Sequence, residues 1–179
     1  MKPNQISLAK VVVSVIGVLL SSFLVGVWWS AISCYGTPIF GAVILMWNSK
    51  SVREALSLRS VGFLAISTLI YTLGYWHFAK NTPSSGGEGD AIIILKAVGI
   101  GTVLLSITHA FLLKASWRRV FIAVPCIYIS WYLVGFLLGN RVMEMINPVA
   151  PILILPVAIW QTAYLLFMFS PTLLPLTRR

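Results

Sequence analysis

Six long apolar stretches follow one another along this 179-residue chain, and all but two of its charges fall outside them. The stretches cover residues 8–30, 32–47, 60–79, 91–113, 120–138 and 148–169. A hydrocarbon layer about 30 Å thick takes roughly 20 helical residues at 1.5 Å each. The pattern therefore predicts an all-α membrane protein, a polytopic bundle of six transmembrane helices in one domain, residues 1–179. The second stretch is the weakest. Gly36, Pro38 and Gly41 disturb its start, so it is expected to be short or broken.

Charge placement turns the pattern into a topology. Lys2, Lys10, Lys50, Arg53, Arg59, Lys114, Arg118, Arg119, Arg178 and Arg179 fall on one side of such a bundle. Only Lys80, Lys96 and Arg141 fall on the other. Lys and Arg are retained on the cytoplasmic side, so both termini are expected inside. Trp28, Trp29, Tyr75 and Trp76 sit at outer span ends, and Trp47 and Trp117 at inner ends, where amphipathic rings favour the headgroup boundary. Lys2, Lys10 and the run 11–27 before Ala31-Ile32-Ser33-Cys34 imitate a signal peptide. The run exceeds the roughly 7–15 residues of a secretory core, so a first membrane helix is expected instead.

Composition narrows the function classes. Hydrophobic residues make up 59% of the chain and charged residues 9%, with mean hydropathy +0.94. A soluble domain carries about 25% charged residues, so a soluble catalytic or nucleotide-binding unit has no room here. The net charge of +9 reflects the basic loops, and no nucleic-acid partner is expected. The expected surroundings are a lipid bilayer, with a bacterial inner membrane suggested by small size and charge bias.

Polar groups within apolar spans are costly, and each asks for a reason. No Asp or Glu lies deep in a span. His77 and His109 fall near opposite ends of their spans, roughly 20 Å apart at helical rise. They cannot share one metal or haem, and neither a metal nor a cofactor is expected. His109, beside Ser106 and Thr108, is expected to be a hydrogen-bonded structural histidine. On the outer side, Lys96, Arg141 and Glu144, with Gln161 in the sixth span, are the candidate ligand-binding residues of an outward-facing polar pocket. On the first helix, Ser14, Gly17 and Ser21 form a small-residue face of the kind that admits a second helix closely. With Lys50 and Arg53 of the basic segment 48–59, they are the candidate partner-docking residues. Val52, Ala55, Leu56 and Leu58 of that segment suit a short helix lying in the interface. Residues 81–90, NTPSSGGEGD, predict a flexible outer loop.

Cys34, His77 and Arg141 also share the outer side. A thiol, an imidazole and a guanidinium can serve as nucleophile, base and oxyanion stabiliser. The trio resembles that of intramembrane sorting transpeptidases of the exosortase and archaeosortase type. Its order here is Cys, His, Arg, and the motifs those enzymes carry around the cysteine and arginine are missing, so no catalytic residue is assigned. In size and topology alone the chain is similar to the six-helix substrate-binding subunits of energy-coupling vitamin transporters. The leading expectation is a non-catalytic integral membrane subunit of a larger complex, with membrane-protein partners. The alternative is a small-solute binding or transport protein, and the third is the Cys/His/Arg enzyme.

Overall fold

The computed structural model describes residues 8–26, 33–49, 52–81, 88–136 and 154–169, and these are helical almost throughout. The α-helices are α1 (Leu8–Gly26), α2 (Ser33–Asn48), α3 (Val52–Ala55), α4 (Leu58–Asn81), α5 (Glu88–Leu112), α6 (Trp117–Ser130) and α7 (Ile154–Phe169). A π-helical segment, Trp131–Phe136, continues α6. No strand occurs among the described residues. Each of the six apolar stretches is thus helical where it is described. Of the two alternatives expected for the second stretch, short or broken, α2 is the short one: sixteen residues, running unbroken through Pro38. Pro38 lies in the second turn, so its missing N–H orphans only the carbonyl of residue 34, beside helix-start groups that have no partner in any case.

The long helices form a closed ring. α1 packs on α2, α2 on α4, α4 on α5, α5 on α6 and α6 on α7, and α7 returns to α1. Neighbours around the ring run antiparallel: Gly17 of α1 meets Val43 of α2, and Gly36 of α2 meets Ser21 and Val25 of α1. Gly62 of α4 faces Leu112 of α5, and Gly99 of α5 faces Tyr128 of α6. The shared core runs through Val18, Ile44, Phe63, Leu105, Ile127 and Tyr164.

Helix termini are closed by specific donors at the end of the ring where Lys10, Lys114 and Arg119 gather. The last carbonyls of a helix have no intrahelical partner and carry the negative end of its dipole. Lys10 Nζ donates to the Met46 carbonyl of α2 at 3.1 Å. Asn48 Nδ2 donates to the Leu113 carbonyl after α5 at 3.3 Å, and Arg119 Nη1 to the Met168 carbonyl of α7 at 2.6 Å. Three helix ends are thus tied to a neighbouring element. Asn48→Ala should cost about 1 kcal/mol, the worth of one such bond. Denaturation by SDS in mixed micelles checks this, and an unchanged midpoint would show that water replaces the amide.

The segment between α2 and α4 lies at this same end. Its short helix is a single turn, α3. Ser57 ends it and caps α4, its Oγ accepting from the Ser60 N–H at 3.4 Å. Leu56 and Leu58 are 73% and 87% exposed, beside exposed Arg53 and Arg59.

The ring is apolar outside and partly polar inside. α1 turns Val12, Val15, Ile16, Leu19 and Phe23 outward while Ser14, Gly17, Ser21 and Ser22 face its neighbours. Ser67, Thr102, Ser106, His109 and Gln161 are likewise buried. Among the described residues one helix is long and apolar enough to cross a membrane by length and composition, Leu8–Val25, with mean hydropathy 2.4. A signal sequence or the core helix of a soluble protein has the same length and composition. The apolar portions of α2, α4, α5 and α7 are shorter.

Candidate functional site

On the axis of the ring, in the half away from the basic end, lies a cavity of about 190 Å³. Five of the six long helices contribute to it, together with the π-helical segment that continues α6. Val25 comes from the end of α1, and Thr37, Phe40, Gly41 and Ile44 from the first half of α2. α4 gives Ser67, Ile70, Tyr71 and Gly74, and α5 gives Ala97, Val98, Gly101 and Leu105. Trp131 opens the π-helical segment, and Val157, Trp160 and Gln161 belong to the start of α7. No charged side chain lines it among the described residues. An engineered apolar cavity of about 150 Å³ holds a benzene molecule, so this space suits one or two rings. An ion there would have lost its water with no opposite charge to replace it.

Two of the polar side chains in this wall, Gln161 and Trp160, are held by bonds to neighbouring helices. Gln161 Nε2 donates to Ser21 Oγ at 2.8 Å, and Ser22 Oγ donates to Gln161 Oε1 at 3.2 Å. Ser21 in turn donates to the Gly36 carbonyl at 2.6 Å. One amide thereby joins α7 to α1, and through Ser21 to α2. Trp160 Nε1 donates to Thr102 Oγ1 at 2.8 Å, which fixes the indole against α5. Phe40 stands 5.6 Å from Trp160, centroid to centroid. Other hydroxyls are satisfied on their own helices: Ser67 donates to the Phe63 carbonyl and Thr102 to Val98, as expected where no water replaces a lost bond.

One turn closer to the basic end, a polar pair closes the floor. His109 Nδ1 and Tyr164 Oη are 3.1 Å apart, with both residues fully or almost fully buried. Phe63 and Phe169 flank the imidazole at 5.8 and 5.3 Å. His109 is thus hydrogen-bonded, with Tyr164 rather than Ser106 or Thr108 as the partner. Ser106, fully buried nearby, makes no hydrogen bond of ordinary geometry through its hydroxyl among the described residues.

The sequence-predicted site residues divide sharply. Gln161 lines the cavity. Lys96 does not: it is exposed, while its neighbours Ala97 and Val98 supply the wall. Arg141, Glu144 and Lys50 lie outside the described residues. The cavity that the described residues enclose is apolar and lies on the ring axis. The docking face of α1 also needs correction. Trp47 Nε1 donates to Ser14 Oγ at 2.6 Å, a Cβ on Gly17 would lie 2.5 Å from Val43, and Ser21 binds α2 and α7. That face is filled from within the chain, because α2 and α7 both need close approach to α1. Arg53 remains exposed. Of the Cys34, His77 and Arg141 trio, only the His77 side chain is described, exposed on α4. Trp160, Phe40 and the glycines of the wall were missed as site residues. Their spacing is that of any core, and only the space left between them marks them.

Comparison with protein-family models, with curated proteins and with solved structures finds no match for this chain.

Proposed function

We propose that this chain is a six-span integral membrane protein, with both termini on the cytoplasmic side, that binds a small uncharged molecule in its axial cavity. The cavity carries the binding reading: five long helices and the π-helical segment converge on it, aromatic rings line it, and no charge from the described residues enters it. Ligand sites are typically apolar clefts with a few fixed polar groups, and Gln161 and Trp160 fit that role. The membrane reading rests on the inverted surface. Large apolar side chains point outward along α1, α4, α5 and α6 while serines, a histidine and a glutamine are buried. A water-soluble protein of this size rarely exposes such continuous apolar area. The ten-to-three division of Lys and Arg supports the orientation. A role as a non-catalytic subunit loses its main support, since the small-residue face of α1 is used inside the ring.

Thermal unfolding in detergent tests the binding with phenol, indole and naphthalene as probes. A ligand at ten times its dissociation constant adds about 1.4 kcal/mol of stability. Wild type should gain this with at least one probe, and Gly101→Leu, which grows into the cavity, should not. Equal response in both, or none in either, would refute the cavity as the site.

A further inference from the structure

We infer that the ligand enters this cavity sideways, from the lipid phase, through a window between the halves of α4 and α5 farthest from the basic end. It is therefore a neutral, lipid-soluble ring compound bearing one hydrogen-bonding group. This rests on the binding and membrane readings above and adds a route and a ligand class to them.

The glycines locate the window. Where two helices touch closely, a Cβ placed on a glycine meets the neighbouring helix. Gly17 and Gly36 are filled in this sense across α1 and α2, Gly41 across α2 and α4, and Gly99 across α5 and α6. α4 and α5 obey the rule near the basic end, where Gly62 meets Leu112 at 3.8 Å. Farther along the same pair the rule fails. A Cβ on Gly74 of α4, or on Gly101 of α5, would find nothing within 4 Å among the described residues. Both glycines line the cavity, and both are partly exposed. The gap therefore joins the cavity to the outer surface of the ring.

What surrounds the gap decides which phase it meets. Leu69 and Leu73 on α4 and Ile100 and Leu104 on α5 are all exposed beside it. A rim of four large apolar side chains is a poor mouth for an aqueous channel and a natural one toward acyl chains. Inside, Gln161 has spent one N–H on Ser21 and one lone pair on Ser22. Its amide offers two N–H groups and two lone pairs in all. The remaining N–H and lone pair are what a phenolic hydroxyl or a ring carbonyl would engage.

Photolabelling in phosphatidylcholine vesicles tests the route, with phenyl(trifluoromethyl)diazirine as probe and its ring-sulfonated analogue as the water-bound control. Adducts are mapped by mass spectrometry. The lipid-soluble probe should label Tyr71, Ala97 and Trp160 saturably, with excess phenol displacing it, and the sulfonated probe should label them at least ~10-fold less. Gly101→Leu should abolish the Trp160 adduct. Gly101→Ala, whose single methyl meets open space, should keep the fold and reduce the adduct partially. Equal, saturable labelling by both probes would leave the binding site standing and overturn lateral access. Unsaturable labelling of Trp160, matching that of outward-facing Phe121, would mean that acyl chains merely fill the space, and would overturn the ligand class. Absence of any Trp160 adduct would sink the binding reading itself.

Discussion

Gly36→Ala should lower stability by about 3 kcal/mol or more, the upper range for overpacking a close contact. A methyl there would stand 2.7 Å from the Ser21 carbonyl oxygen, 2.6 Å from Val25 Cγ2 and 3.1 Å from the Val25 nitrogen. Two of these three neighbours are backbone, which cannot step aside without moving α1. The same shift would stretch the bond from Ser21 Oγ to the Gly36 carbonyl. Two other glycines calibrate the claim. At Gly17 the obstruction is Val43 Cγ2, on a side chain stiff at χ1, and the expected cost is intermediate. At Gly41 it is Leu64 Cδ2, the far end of a flexible side chain, and the cost should stay below about 1 kcal/mol. SDS titration of the three alanine variants should rank them 36, 17, 41. A Gly36→Ala protein as stable as wild type would show that α1 and α2 do not approach this closely.

Gln161→Leu is the second large effect. Leucine nearly preserves the volume but removes both bonds to α1. Ser22 then loses its acceptor and Ser21 its donor, in a place closed to water. Burying unsatisfied polar groups costs about 1–3 kcal/mol, and a loss near 2 kcal/mol is expected. In Ser22→Ala the same bond is already gone, so adding Gln161→Leu to it should cost less than on wild type. The pair should show a coupling of at least about 0.5 kcal/mol in a double-mutant cycle. Additive losses would mean that the serine and the amide act independently. The variant should also bind naphthalene as before while losing any preference for phenol, because only the latter uses the amide.

Helix positions were readable because each apolar stretch had the length and composition of one long helix. α1, α2, α4 and α5 begin within three residues of the stretches that predict them. The short helix expected in the segment 48–59 is the one-turn α3, and Ser57 separates it from the next helix. The π-helical segment after Ser130 left no signal, because Trp131–Phe136 has the composition of any apolar helix. Gln161 stood out in the sequence as a polar residue in an apolar run. The cavity did not, for a physical reason. It exists because Gly74 and Gly101 have nothing opposite them among the described residues, and a sequence does not say what faces a glycine. Small residues at Ser14, Gly17 and Ser21 announced a close approach, but spacing on one helix is silent about which helix approaches.

Closure of the ring by its first and last helices has a consequence for the timing of synthesis. Ser22 finds its acceptor 139 residues later in the chain. At about 5–20 residues per second, that acceptor emerges roughly 7–30 s after the serine. During this interval α1 carries a hydroxyl whose final partner does not yet exist. The Val18 carbonyl, four residues back, is the local acceptor that can hold it meanwhile. The first helix made is therefore among the last to reach its final bonding, and the nascent chain stays open along the α1–α7 seam until its sixth long helix arrives.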